Sequence, residues 1–324
     1  MDNFPAVVLG LDVAKAKVDC ALLASGKLRS KVIANTPAGF ATLDAWLAKH
    51  APAATLHACC EATGPYSEAL ATHLADAGHV VSVVNPATLA AFARTRLVRA
   101  KTDRQDARLI AQFCAQHRPP PWQPLPRPQR RLLALVRDLH DLQTMRVAEA
   151  NRLPAAYPDV QPRIQRHLHF LDAEIERLRK SLAEHIDQHD DLRGRRDLLD
   201  SVPGLGDTTI AWLLAYLGDG QRFACAKQAA AFAGLTPRLH ESGSSVRAHA
   251  CIDKQGHADL RRALYMPAVS AYARCAAYAP FVQRLRDKGK APKLIITALM
   301  RKLITIAQAI LKSGKPFDPT LHLG

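Results

Sequence analysis

Apolar and polar positions alternate along the first third of the chain in a way that separates strands from helices. Ala6–Leu11 is a short β-branched run that meets a carboxylate at Asp12. Lys17–Ala24 alternates up to a Ser25-Gly26 turn, and Lys31–Ala34 reads as a third strand. Ala38–Lys49 then sets Phe40, Leu43, Trp46 and Leu47 at helical spacing. Ala54–Cys60 predicts a buried strand ending at Glu61, Tyr66–Ala77 a helix stopped by Gly78, and His79–Val84 a strand ending at Asn85-Pro86. This βββαβαβ order predicts a mixed sheet in an α/β domain. Helical pattern dominates from Thr88 to about His117.

The remainder is helical. Arg118–Arg130 holds Pro119, Pro120, Pro121, Pro124, Pro126 and Pro128, which predicts a stiff linker or a domain boundary. Helix resumes over Leu132–Asn151. In Arg163–His189, Leu168, Leu171, Ile175, Leu178 and Leu182 alternate three and four apart, a short heptad seam that suits a coiled coil between chains or packing within one. Val202-Pro203-Gly204-Leu205-Gly206 separates helical stretches Asp191–Asp200 and Thr208–Leu217, a helix-hairpin-helix-like pattern. Leu294, Ile295, Ala298, Leu299, Lys302, Leu303, Ile306 and Ile310 form one stripe of a last helix. Three domains are expected: 1–125 α/β, 126–192 a helical, coiled-coil-like linker, and 193–324 mainly helical.

Composition narrows the classes. The 324 residues are 48% hydrophobic and 23% charged, a folded and not a disordered chain. No run of 18 apolar residues suggests a membrane span, and the first residues lack an export pattern, so a cytoplasmic, nucleoid-associated protein is expected. The cysteines include no CxxC pair, which argues against a zinc site or a disulfide framework. The formal charge of +15 is unevenly spread. Residues 93–152 hold 13 basic against 5 acidic side chains, and residues 201–324 hold 17 against 7, whereas the segments between and before them are near neutral. Two basic blocks read as two phosphate-contacting surfaces. Arg94, Arg96, Arg99, Lys101 and Arg104 are candidate contacts in the first block, Arg238 and Arg247 in the second. Gly204 and Gly206 would let backbone amides approach a phosphate. Arg284, Arg286, Lys288, Lys290 and Lys293 could extend that surface.

Four carboxylates stand out. Asp12 lies in an apolar strand, where an unpaired charge is costly, and Glu61 ends another strand. Asp103 and Asp106, three apart in a helical segment, share a face and repel. Arg99, Lys101, Arg104 or Arg108 could compensate them; a divalent ion could do so better. Oxygen-only ligands fit Mg²⁺ or Mn²⁺, and four converging carboxylates would hold two ions about 3.5–4 Å apart, the arrangement that activates phosphodiester displacement. Solvated or arginine-paired aspartates, with Glu61 capping the next helix, are the structural alternative.

The order Asp12 … Glu61 … Asp103-x-x-Asp106, on a start reading VVLGLDVAKAKVDCALL, resembles the RNase H-like (RuvC-like) core of Holliday-junction resolvases. More closely it resembles the DEDD transposases of bacterial insertion sequences, a family that includes site-specific DNA invertases and bridge-RNA-guided recombinases. CEATGPYSEALATHLADAGHVVSVVNP and RAKTDRQDARLIAQF resemble that family's first domain; LLDSVPGLGDTTIAWLLAYLGD and AAFAGLTPRLHESGSS resemble its C-terminal domain. The resemblance implies a metal-binding tetrad of Asp12, Glu61, Asp103 and Asp106, and a serine nucleophile. The family's Ser-Ser-Gly signature falls on Glu241-Ser242-Gly243, so Ser242 takes the nucleophile's position; Glu241 departs from the pattern, and Ser244 and Ser245 stay open as alternatives. It further implies double-stranded DNA as substrate, a structured guide RNA, and a homo-oligomer, dimer or tetramer, in which tetrad and serine come from different copies. A metal-dependent resolvase using water and a non-catalytic nucleic-acid-binding protein are the competing classes.

Overall fold

A computed structural model of the chain describes residues 5–62, 64–96, 103–238, 241–242, 246–247, 251–253 and 256–322. They fall into two compact units, Met1–Leu125 and Pro126–Gly324.

The first unit is built on β1 (Val7–Val13), β2 (Lys17–Ala24) and β3 (Lys27–Ala34), then α1 (Pro37–His50), β4 (Leu56–Glu61), α2 (Pro65–Asp76), β5 (Val80–Val84), α3 (Pro86–Thr95) and α4 (Asp103–His117). The five strands form one mixed sheet in the order β3-β2-β1-β4-β5, with β1–β2–β3 antiparallel and β1, β4 and β5 parallel. The helix starts carry their own signals. Thr36 accepts from the Gly39 amide ahead of Pro37, and Asn85 accepts from the Ala87 amide ahead of Pro86.

Strand alternation divides two cores. Leu9, Leu11 and Val13 meet Phe40, Leu43 and Leu47 of α1 and Leu70, Ala71 and Leu74 of α2 on one face. Val8, Ala21 and Cys59 meet Leu89 and Phe92 of α3 and Ala107, Ile110 and Ala111 of α4 on the other. Two expectations change here. The third strand begins at Lys27, not Lys31; its KLRSK start lacks alternation because it lies at the sheet edge, where Leu28–Lys31 are all half-buried. The proline-rich stretch does hold the boundary between the units, but its first part, through Trp122, is bonded to the sheet. The Trp122 amide donates to Val81 O at 2.6 Å, and Ser82 Oγ lies 2.9 Å from Pro119 O and Pro120 O. Residues lacking backbone donors can cover the β5 edge without needing partners of their own.

The second unit opens with α5 (Arg127–Arg152) and α6 (Gln161–Asp187), an antiparallel hairpin. His185 Nε2 lies 2.8 Å from Pro128 O at one end, and Arg146 pairs with Asp172 further along. The α6 heptad seam is used within the chain: Leu171, Ile175 and Leu182 are buried, while Leu168 and Leu178 are half-buried. Then follow α7 (Asp190–Asp200), α8 (Asp207–Leu217), α9 (Ala226–Phe232), β6 (Pro237–Arg238), β7 (Glu241–Ser242), β8 (Val246–Arg247), β9 (Cys251–Ile252), α10 (Ala258–Arg274), α11 (Ala279–Asp287) and α12 (Pro292–Ser313). By length and composition α12 is long and apolar enough to cross a membrane, although Lys293, Arg301, Lys302 and Lys312 interrupt its apolar run. Its stripe Ile295, Leu299, Leu303, Ile306 and Ile310 is buried and packs on α7, α9 and α10, the setting of a core helix. Leu294, expected in that stripe, is exposed.

Candidate active site

Period-two geometry gathers the acidic side chains. On β1, Val8 and Gly10 face α4, so Asp12, two residues on, projects to the same side. On β4, Cys59 faces α4, and Glu61 follows it with the same parity at the strand's carboxyl end. The parallel register pairs Leu11 with Cys60, which brings Asp12 beside Glu61. On β2, Ala21 faces α4, so Lys17 and Asp19 do as well, and the antiparallel register sets Asp19 opposite Asp12. α4 lies across β1, β2 and β4, with Asp103 and Asp106 in its first turn. Their charge is favoured there by the positive end of the helix dipole.

Electrostatics report this convergence. Asp12 is half-buried, and its carboxyl is pushed up to about 6, first by burial and then by the charges of Asp106, Asp103, Asp19 and Glu61, in that order. The other three expected carboxylates therefore act on Asp12, and Asp19 joins them. Among the described residues, Lys17, which was not among the cations expected, compensates them. Its Nζ lies 2.7 Å from Asp103 Oδ2 and 3.1 Å from Asp19 Oδ2. These hydrogen bonds, the one to Asp103 foremost, hold the Lys17 ammonium above its ordinary range. Arg108 turns to the other side and donates from Nε to Ser30 Oγ at 3.3 Å. Nor does Glu61 cap α2, whose N-cap is Gly64 with no side-chain bond.

Among the described residues no three His, Cys, Asp or Glu side chains stand in ligand geometry about one point. The donor set nonetheless fits a hard cation: it is oxygen-only and anionic, and the carboxyl of its central member is pushed up by burial and then by its neighbours' charges, which a bound cation would offset. Lys17 and Asp19 were missed by sequence reasoning. The signal lay in KVDCALLA, where Lys17 and Asp19 fall on alternate positions of a strand whose next members are apolar, and a hairpin register would have placed Asp19 beside Asp12.

The second unit holds the serine candidates. Gly234–Ser245, which composition reads as a non-helical loop, carries short paired strands among its described residues. β6 pairs β9 through Pro237↔Ile252 and Arg238↔Cys251, and β7 pairs β8 through Glu241↔Arg247 and Ser242↔Val246. Ser242 is thus a paired strand residue. The strands are only two residues long, too short for alternation to announce them. Ser244 and Ser245 lie outside the described residues, as do Arg99 and Lys101; Arg104, Arg238, Ser242 and Arg247 are described in their backbone.

The hairpin's neck is a backbone crossing. A Cβ on Gly256 would stand 2.2 Å from Gly234 N and 2.4 Å from Phe232 O. The His257 amide donates to Phe232 O at 2.9 Å, and Arg261 Nη1 donates to Ala233 O and Gly256 O, both at 2.9 Å. The His257 ring packs 4.2 Å from the Phe232 ring, and burial holds it below the usual histidine range.

Of the phosphate candidates, Arg94 and Arg96 are exposed at the end of α3, with Arg96 resting 5.2 Å over the Phe92 ring. Gly204, at φ +88°, and Gly206 lie in the exposed turn between α7 and α8, and a Cβ at Gly206 would meet nothing within 4 Å. Backbone could be approached there from solvent.

A mixed sheet with carboxylates gathered at its strand ends, joined to a strongly basic helical unit, defines an enzyme class that acts on nucleic acid. Comparison with known proteins gives the particular family. A family described as Transposase, of the DEDD type, matches residues 9–162, and the Transposase IS116/IS110/IS902 family matches residues 196–283. A pilin gene-inverting protein of Moraxella bovis is 37% identical over 97% of this chain and 98% of its own length. The pilin gene-inverting protein of Moraxella lacunata is 36% identical over the same shares. The transposase for insertion sequence element IS1328 of Yersinia enterocolitica is 28% identical over 53% of this chain and 51% of its own. The chain belongs to the IS110 family of transposases, enzymes whose substrate is DNA.

Proposed function

We propose that this transposase cuts and rejoins DNA strands of an insertion sequence through Ser242, with Mg²⁺ or Mn²⁺ held by Asp12, Glu61, Asp103 and Asp106. The convergence of these carboxylates around a half-buried Asp12 carries the reading. The sheet order β3-β2-β1-β4-β5, with its antiparallel half beside a parallel half, supports an RNase H-like domain. Two bound cations would supply charge neutralisation at the scissile phosphate and acidity for the attacking and leaving oxygens.

The chain's own groups do the rest. Ser242 gives up its hydroxyl proton as Oγ attacks phosphorus, the strand's P–O bond breaks, and the departing oxygen takes up a proton, leaving a phosphoserine link that a second strand end reverses. Lys17 holds Asp103 in place at the entrance of the acidic cluster. The α7–α8 turn and the basic stretch around α3 grip the backbone of DNA or of a structured guide RNA that carries the target sequence. Assembly as a dimer or tetramer would let the serine of one copy serve the tetrad of another. The whole-length likeness to two gene-inverting proteins supports a second outcome of the same chemistry, inversion of a DNA segment, since excision and inversion differ in which ends are rejoined.

Two experiments test the reading. Excision of a cloned element is measured for Ser242→Ala, Ser244→Ala and Ser245→Ala, with denaturing gels for protein–DNA adducts. Loss of adduct in Ser242→Ala alone is expected, and cleavage persisting in Ser242→Ala would favour attack by water. RNA that co-purifies with the chain expressed beside its element's noncoding flanks is sequenced; recovery of no element RNA would remove the guide.

A further inference from the structure

The corner between α11 and α12 carries cations that the acidic site and the serine hairpin do not use. Arg284 and Arg286 lie in the last turns of α11, Lys288 and Lys290 in the connecting turn, Lys293 in the first turn of α12, and Lys302 further along it. The first five are exposed. Asp287 is the sole carboxylate between Asp259 and Asp318, and its Oδ1 already accepts from Gln283 Nε2 at 2.7 Å. Among the described residues none of these six cations forms an ion pair. Other basic surfaces of this unit are different. On α6 and α7, Arg177, Arg179, Arg193 and Arg196 pair with Glu174, Glu176, Asp190 and Asp197 of their own helices. A solvated face neutralises itself in that way; the α11–α12 corner does not.

The cations are also held in place. Arg284 rests 5.4 Å and Lys302 5.9 Å from the Phe281 ring centroid, and Arg286 rests 4.7 Å from that of Tyr272. Stacking engages a guanidinium's face and leaves its N–H edge for in-plane acceptors such as phosphate oxygens. The turn is fixed by two hydrogen bonds, Gly289 N to Arg286 O at 2.8 Å and Lys290 N to Leu285 O at 3.1 Å, with Gly289 at φ +66°. That is the Schellman closure, and it fixes where the two lysine backbones lie. α12 adds the positive end of its dipole at the same corner.

We propose that the α11–α12 corner is a docking surface for the sugar–phosphate backbone of double-stranded DNA. The inference rests on the chain's action on DNA and adds cations that all lie beyond both matched family stretches, the second of which ends at residue 283. Duplex is favoured over single-stranded nucleic acid because Phe281 and Tyr272 are already engaged by the protein's own cations, so the corner lacks the open aromatic platform on which unpaired bases stack. It reads no sequence, as backbone contacts do not.

The test uses the full chain and a labelled 20-base-pair duplex of arbitrary sequence, in EDTA so that no strand is cut, with anisotropy followed across a KCl series. In Arg284→Gln/Lys290→Gln/Lys293→Gln the salt slope of log K is expected to fall by about 2–3, because each lost phosphate contact removes about 0.9. Affinity near physiological salt is expected to drop about tenfold or more. Arg177→Gln/Arg179→Gln/Lys180→Gln removes the same charge from α6, and is expected to stay within about twofold of the parent. Equal losses in both triple variants, or no loss in the first, would overturn the proposal. So would an unchanged duplex affinity beside lost binding of a single-stranded RNA, or of an acidic protein such as a polyglutamate chain. Lys290→Gln alone, at an exposed position, keeps the test alive if the triple variant does not fold; a slope change near one is expected and none would count against the surface. Binding is read without divalent ions, so a failure of the serine-and-metal reading leaves this result standing.

Discussion

Gly10→Ala should separate packing from chemistry at the acidic site. Gly10 lies where β1 passes under α4. A Cβ there would stand 2.2 Å from Ala107 O, 2.4 Å from Ala111 N and 2.8 Å from Ala111 Cα. All three atoms are helix backbone, so no side-chain rotation relieves the clash. α4 must withdraw by about 1 Å before the contact reaches an ordinary separation. Overpacking of this kind costs about 1–3 kcal/mol, and the upper end is expected because backbone must move. The same movement carries Asp103 and Asp106 away from Asp12, which stands two residues from Gly10 on the same strand face. A shift of about 1 Å in reacting groups costs on the order of 10²-fold in rate. Urea unfolding should therefore show a loss of about 2–3 kcal/mol, and strand cleavage should fall about 100-fold under conditions where the variant stays folded. Gly194→Ala, in α7 with nothing within 4 Å of the new methyl, should gain about 0.5–1 kcal/mol and cleave normally. Gly10→Ala with parental stability and parental cleavage would refute the placement of α4 on β1.

Three more outcomes follow from the geometry. Asp12 has its carboxyl raised to about 6 against 3.8 in an unstructured chain, so the protonated form favours folding; that contribution is complete below about pH 4 and is lost as pH rises through 6. Asp12→Asn should hence be more stable than the parent at pH 7.5, by about 1 kcal/mol after allowing for solvent screening, with the difference shrinking toward pH 4.5 and cleavage abolished; thermal melts across pH that show a less stable variant at pH 7.5 would contradict the repulsion argument. Lys17→Met releases Asp103 and Asp19 from their shared ammonium, and should lower cleavage about tenfold while duplex affinity stays within twofold, measured by gel and by anisotropy on the same preparation. Gly256→Ala pushes a methyl into Gly234 N and Phe232 O, and should destabilise the second unit by about 1–3 kcal/mol in urea and suppress the serine–DNA adduct more than it suppresses DNA binding.

The first unit was largely legible because its chemistry sits on strands with strong alternation. Asp12 is conspicuous in VVLGLDV and Glu61 in LHACCE for one reason, that a carboxylate in an apolar run demands an explanation. Lys17 escaped because it stands at the exposed start of β2, where a lysine is unremarkable until β1 and β2 are paired. Arg108 misled for the complementary reason: helical neighbours of Asp106 suggested local pairing, yet tertiary packing gave the guanidinium to Ser30. In the second unit the heptad seam of α6 is real, but its period alone does not say which helix fills it; α5 of the same chain does. The nested hairpin was illegible because two-residue strands have no period to read, and their pairing is imposed by the closed neck.

That neck and the β1–α4 crossing share a principle that accounts for where the chemistry sits. In both units the candidate reactive side chains extend from a place where two backbones touch and no side chain fits. Gly10 lets α4 settle directly on β1, and the carboxylates of both elements gather just beyond the contact. Gly234 and Gly256 let the two ends of the hairpin cross, Arg261 ties the crossing from below through Ala233 O and Gly256 O, and Ser242 follows two short paired strands later. A backbone contact is stiffer than one between side chains, since it cannot relax by changing rotamer. Reactive groups carried a few residues from such contacts inherit that stiffness while staying open to a large substrate. Glycines that only shape turns, such as Gly26 and Gly78, with nothing within 4 Å of a would-be Cβ, lie away from the acidic cluster. The sensitivity of the enzyme to glycine substitution should therefore track the crowding around each glycine, greatest among the described residues at Gly39, where a Cβ would stand 1.9 Å from Ala34 O, and at Gly10 and Gly256.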